Sequence, residues 1–431
     1  MSSPIWHPFT QHGLGEPIPR IVRAEGAVLH LADGGTLIDC ISSWWVTTHG
    51  HCHPRIAAAI AAQAGQLDQL IFAGYTHDPA EQVAQGLIDL APTAPGRDRL
   101  SHIFFSDSGS TAVEVALKMA LGYWHNLALD GLAAARHRIL VLEHGYHGDT
   151  IGTMSVGERG VYNAAWSPLL FDVGTIPFPS PGREDACLAA LEAACSASEK
   201  PATFIVEPLI LGAGGMLVYS PAMLTRMADI CAAHDVLFIV DEVMTGWGRT
   251  GTMFACEQAG VVPDIMAVAK GITGGAIPLA ATLATPRIFE AHRSTDRARL
   301  FYHSSSYTAN AIACAAAAEN LALWREEDVR GRIARLSAGI SARMTVLGRH
   351  PAVTNPRQLG TIAAIDLVTP DAGYLSDLAP QLRAHFLGEG LLLRPLGNTI
   401  YIMPPYCLDD DQLDRLFAGL VSAADRFGVR T

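Results

Sequence analysis

Phe104-Phe105-Ser106-Asp107-Ser108-Gly109-Ser110-Thr111, continuing into Ala112-Val113-Glu114-Val115-Ala116-Leu117-Lys118, carries an apolar run through a small-residue turn into helical spacing. Thr111 and Glu114 stand at capping-box spacing, and Val113, Ala116, Leu117, Ala120 and Trp124 line one helical face. A glycine turn that opens a helix presents free backbone N–H groups at a positive dipole end, which suits a phosphate. The same pattern also serves as a plain helix cap.

Four more short runs share this texture, so the strand-turn-helix unit repeats. With His102 to Phe105 they are Ile139 to Leu142, Thr203 to Val206, Val236 to Val240 and Ile265 to Ala269. Continuous apolar runs of this length read as strands buried on both faces. Their alternation with Ala/Leu-rich helical stretches predicts a mostly parallel α/β sheet. From about Ala309 a helix to Glu326 leads into alternating strands (Gly360 to Leu367, Thr399 to Met403) and turns at Pro370-Asp371 and Pro404-Pro405. The expected organisation is a large domain over residues 49–308 and a smaller α+β domain over 309–431, with segment 1–48 packing on the latter.

Two strand ends carry groups suited to catalysis. The run Val236 to Val240 delivers Asp241-Glu242 to the edge of the sheet where α/β proteins keep ligands. A carboxylate there accepts a hydrogen bond from a protonated ring nitrogen, or caps the following turn. Ile265 to Ala269 ends in Lys270-Gly271. A lysine on a buried strand end is either desolvated toward its free amine, the nucleophilic form, or extended to the rim.

Other patterns carry less. Gly246-Trp247-Gly248-Arg249-Thr250-Gly251 matches a dinucleotide fingerprint. It neither follows a strand directly nor opens a helix, so that function is set aside. His49-Gly50-His51-Cys52-His53 has no common zinc spacing, and no metal is expected.

The 431 residues are 49% hydrophobic and only 17% charged, which excludes a disordered chain. Forty-two acidic against 30 basic residues give −12, with no basic run to meet nucleic acid or an anionic membrane. No secretory leader is expected in Met1 to Pro8, and no apolar stretch reaches membrane length. Eight scattered cysteines without a C-x-x-C pair fit reduced thiols and a cytoplasmic setting.

Taken in order, Asp107-Ser108-Gly109-Ser110, Tyr146-His147-Gly148, Glu207-Pro208, Asp241-Glu242-Val243, Gly246 to Gly251 and Lys270-Gly271 resemble the class III, fold type I, pyridoxal-phosphate aminotransferases over nearly the whole chain. The resemblance implies pyridoxal 5'-phosphate as cofactor and a homodimer with shared active sites. It implies that Lys270 carries the cofactor and moves the proton, Asp241 holds the pyridinium nitrogen, and Tyr146 stacks on the ring. Ser108 and Gly109 would bind the phosphate, with Ser305 and Ser306 reaching that of the neighbouring subunit.

A narrower resemblance rests on Trp6-His7-Pro8-Phe9-Thr10-Gln11, Ser42-Ser43-Trp44-Trp45 and Leu393-Arg394-Pro395-Leu396-Gly397 with Tyr401-Ile402-Met403-Pro404-Pro405. These stretches look like the members acting in biotin synthesis. They imply amino transfer from S-adenosylmethionine, or lysine as in some relatives, to 8-amino-7-oxononanoate. Phe9, Trp44, Tyr146, Ser304 and Arg394 would then contact substrate, with Arg394 on the substrate carboxylate. Better-known members have Tyr at the position of Phe9, so Phe9 keeps another ω-amino acid or amine aminotransferase open. An aminomutase and a non-catalytic pyridoxal-phosphate protein are the remaining alternatives.

Overall fold

The computed structural model describes residues 3–370 and 372–429. Asp371 of the expected Pro370-Asp371 turn lies outside the described residues, as do Met1 and Ser2.

Among the described residues a seven-stranded sheet forms the centre. Its order is His102–Ser106, Ala280–Ala284, Ile265–Val268, Leu237–Asp241, Thr203–Val206, Ile139–Leu142 and Gly174–Ile176. Ile239 pairs with Ile265 and Phe238 with Phe204 in parallel register. Only Ala280–Ala284 runs antiparallel, against both of its neighbours. This strand and Gly174–Ile176 were not foreseen.

Both faces of the sheet are covered, which is why its strands read as unbroken apolar runs. Ile239, Ile265 and Ala267 join one buried cluster with Ala112, Val113 and Ala116 of the helix Gly109–Leu129. Phe238, Val240 and Met266 face a second cluster on the opposite side. Because the strands are parallel, Asp107, Glu143, Glu207, Asp241 and Lys270 all emerge at one edge.

The N- and C-terminal parts of the chain meet beside that edge. Leu391–Leu392 pairs in parallel with Thr36–Asp39, extending a sheet made with Ile21–Glu25 and Val28–Leu31. A separate antiparallel sheet joins Val353–Leu359, Ile362–Leu367 and Thr399–Ile402. Ser42 donates its hydroxyl to the Met403 carbonyl at 2.7 Å, and Met403 N–H donates to Cys40 at 2.9 Å. These bonds set the Trp44-Trp45 loop against Tyr401.

The expected helix from Ala309 begins at Ala311 instead. Ala309 adopts φ 52°, and the Asn310 side chain caps the helix by accepting from Ala313 N–H at 3.0 Å. No described helix is long and apolar enough to cross a membrane.

Candidate active site

A pocket at the C-terminal edge of the sheet gathers Phe9, Trp44, Ser108, Gly109, Tyr146, Asp241, Lys270 and Arg394. These residues come from segments up to 385 positions apart in the chain.

The helix Gly109–Leu129 points its N-terminus at the pocket, and Ser108 is its cap. Thr111 N–H donates to the Ser108 hydroxyl at 3.2 Å, and Ser108 N–H donates to the Thr111 hydroxyl at 2.9 Å. The capping box is therefore Ser108 with Thr111, not Thr111 with Glu114. Glu114 instead accepts from the Thr150 hydroxyl at 2.6 Å and Gly152 N–H at 3.0 Å. As in any helix, the first N–H groups, here of Gly109 and Ser110, have no intrahelical acceptor. A Cβ at position 109 would lie 2.5 Å from Val243 Cγ1, so only glycine lets the helix end close on the segment after Asp241.

Asp241 ends its strand with 5% exposure. One carboxylate oxygen accepts Val243 N–H at 3.0 Å, and the other pairs with His147 Nδ1 at 2.7 Å. Burial opposes charge on the His147 ring, but the Asp241 carboxylate outweighs it and holds the ring pKa above its ordinary value. His147 Nε2 is buried without a partner.

Lys270 follows directly from the strand Ile265–Val268 and Ala269, with φ 48° in the left-handed region. Its Nζ lies 5.1 Å from the Trp45 ring centroid. Desolvation lowers its pKa, opposed by the charges of Asp241 and Glu207 and assisted by Arg249. The following turn is held from behind, where Asn320 donates to the carbonyls of Gly271 at 3.0 Å and Ile272 at 2.9 Å. His49 pairs with the Asn320 carbonyl oxygen at 2.7 Å, and His51 with Asp39 at 2.8 Å, which is where those two imidazoles are engaged.

Glu207 accepts Tyr146 N–H at 3.0 Å and Gly212 N–H at 2.9 Å, fixing the backbone that carries the Tyr146 ring. Burial raises its pKa to about 7, against the opposing pull of His147. Arg249 does not line the pocket. It is 1% exposed and donates to the carbonyls of Thr47 at 2.9 Å, Pro404 at 3.0 Å and Trp45 at 3.4 Å. It thus ties the double-tryptophan loop to the loop after Met403.

Trp44 is 43% exposed and packs against Phe9, with ring centroids 5.6 Å apart. The Arg394 guanidinium lies over the Trp44 ring and donates to the Phe9 carbonyl at 2.7 Å. Ser304, Ser305 and Ser306 do not enter this chain's own pocket. Ser305 hydrogen-bonds the Asp107 carboxylate, Ser306 accepts from Gln69 through its carbonyl, and Ser304 is exposed. Trp45, His147, Tyr162, Tyr374 and Tyr401 also line the pocket, and sequence reasoning gave them no role.

The family model for class III aminotransferases matches residues 11–424. The chain belongs to the class III aminotransferase family. This class III aminotransferase is 46% identical over 431 residues to an adenosylmethionine-8-amino-7-oxononanoate aminotransferase of Synechococcus elongatus, covering 98% of each chain. The solved structure of an enzyme of that name from Methanocaldococcus jannaschii is 31% identical with a TM-score of 0.91, covering 99% of this chain and 98% of that one. An amine transaminase from an uncultivated Pseudomonas species, solved with pyridoxal phosphate bound, is also 31% identical at a TM-score of 0.91. It covers 99% of this class III aminotransferase, which covers all of it in turn (100%). The class is dependent on pyridoxal phosphate, and its fold is the fold type I transferase.

Proposed function

We propose that this aminotransferase moves an amino group from S-adenosylmethionine to 8-amino-7-oxononanoate, giving 7,8-diaminononanoate, with pyridoxal phosphate held in the pocket described above. The observation that carries the reading is the convergence of a desolvated lysine, a buried carboxylate, a helix N-terminus and an arginine in one aromatic-walled pocket. Full-length identity to enzymes of that name supports the choice of substrates.

The residues present fit this cofactor. The Ser108 hydroxyl and the N–H groups of Gly109 and Ser110, at the end of a 21-residue helix, would hold its phosphate, where a Cβ on Gly109 would collide with Val243. Asp241 would hold its ring nitrogen, Tyr146 would pack on its ring, and the Lys270 amine would carry it. When bound, it supplies an electron sink for the substrate carbon that gains or loses a proton.

The protein's own groups do the rest. Asp241, fixed by Val243 N–H and His147, would keep positive charge on the ring nitrogen. Lys270 Nζ, biased by burial toward the free amine, takes the proton from the donor carbon and returns one to the acceptor carbon. Trp44 and Trp45 line the pocket, and Arg394 would receive the substrate carboxylate. Ser304, Ser305 and Ser306 are assigned to the pocket of a second copy in a homodimer.

Phe9 supports a second reading, an amine or ω-amino acid aminotransferase, because its ring offers no hydroxyl to a keto acid. The test is product formation by the pyridoxal-phosphate-loaded enzyme. With 8-amino-7-oxononanoate and either S-adenosylmethionine or lysine, mass spectrometry is expected to detect 7,8-diaminononanoate. Amination of β-alanine- or GABA-derived aldehydes in its place would favour the second reading.

A further inference from the structure

Of the residues lining the pocket, Arg394 is the only arginine. Among the described residues no carboxylate pairs with it: one N–H goes to the Phe9 carbonyl, and its guanidinium carbon lies 5.4 Å from the Trp44 ring centroid. A guanidinium has five N–H donors, so most remain available.

Three phenols line the same pocket as that cation. Tyr162 and Tyr374 both line it and have ring centroids 4.6 Å apart. Tyr162 also meets the edge of Phe9 at 6.3 Å. The Tyr401 oxygen accepts the Trp45 indole N–H at 3.0 Å, which leaves its own hydrogen to donate. Burial, first of all, holds the Tyr162 and Tyr401 hydroxyls protonated well above neutral pH, with Arg394 pulling the other way. A cation without an acidic partner, in a pocket it shares with phenolic O–H donors, is a receptor for a carboxylate.

We propose that Tyr162 and Tyr374, together with Arg394, bind the carboxylate of the keto acid and set the preference for it over a ketone without one. Each phenol has a hydroxyl hydrogen to donate to the ligand. Losing either oxygen removes one of these donors. The proposal rests on the substrate reading given above and names two residues that select that substrate.

The test compares 8-amino-7-oxononanoate with 2-aminooctan-3-one, the same amino ketone with hydrogen in place of the carboxylate. Both are assayed on the cofactor-loaded enzyme with S-adenosylmethionine. Tyr162→Phe and Tyr374→Phe keep the rings and their packing and remove only the oxygens. Each is expected to raise KM for the acid and to lower the kcat/KM ratio of acid to analogue about tenfold, the typical effect of one hydrogen bond to a charged group. A general loss of structure would lower both substrates together and leave the ratio unchanged. An unchanged ratio in both variants, with a wild type that aminates the acid, overturns the assignment of the phenols alone. A wild type that does not aminate the acid overturns the substrate reading, and this proposal with it.

Discussion

His147 Nδ1 stands 2.7 Å from the Asp241 carboxylate, and both side chains are buried at the end of the same sheet edge. The pair fixes the orientation of the group assigned to the cofactor's ring nitrogen. His147→Phe keeps a ring of similar size and removes that partner. The expected loss is about 1.5–3 kcal/mol of hydrogen bonding to a charged group. It should show as weaker pyridoxal-phosphate affinity by titration and a lower thermal midpoint of the apoprotein. Wild-type values for both would mean that Asp241 is held by Val243 N–H alone.

Gly109 gives a steric test of the phosphate cradle. Gly109→Ala places a methyl 2.5 Å from Val243 Cγ1, an overpacking that costs about 1–3 kcal/mol. Cofactor affinity is expected to fall, and adding Val243→Ala should recover much of it. If the double variant binds no better than the single one, the contact with Val243 is not what requires glycine here.

Glu242 sets a pH dependence away from the pocket. Burial raises its pKa to about 7, although the Thr245 hydroxyl and the N–H groups of Cys256 and Ala255 oppose the shift. The native state therefore holds a proton that the unfolded chain has lost. This contribution to stability is fully present below about pH 4.5 and disappears as pH rises through about 7, on the order of 3 kcal/mol. Glu242→Gln should flatten that part of the slope when apoprotein midpoints are compared across pH 4.5–7.5. A variant with the wild-type slope would show that Glu242 does not titrate in this window.

Arg249 joins two loops by three carbonyl contacts from a fully buried position. A lysine cannot span them, so Arg249→Lys should leave carbonyls unpaired at about 1–3 kcal/mol each. Its signature is a lower thermal midpoint together with a raised KM for substrate, since the loops carry Trp45 and lead from Tyr401. A drop in midpoint with KM unchanged would confine Arg249 to stability.

The sheet was legible wherever burial on both faces produced unbroken β-branched or aromatic runs, as at Leu237–Asp241 and Ile139–Leu142. Ala280–Ala284 escaped because alanines favour helices and only packing between two neighbours makes them a strand. Gly174–Ile176 is too short to carry a period. Strand ends gave Asp241 and Lys270, since a charge after an apolar run is conspicuous. Tyr162 and Tyr374 lie outside the strands and long helices, where no periodicity marks a residue, and only the tertiary structure brings their rings together. Ser108 was legible as part of the turn, but the capping partner was misassigned because Thr111 and Glu114 have the same spacing as Ser108 and Thr111.

The central claim, amino transfer to 8-amino-7-oxononanoate, is met most directly by the reaction run backwards on the purified, cofactor-loaded enzyme. 7,8-Diaminononanoate is added while the absorbance of the lysine-bound cofactor is followed, with ornithine, β-alanine and GABA as controls. The account predicts selective bleaching by the diamine with release of 8-amino-7-oxononanoate. Bleaching by the controls but not by the diamine would contradict it.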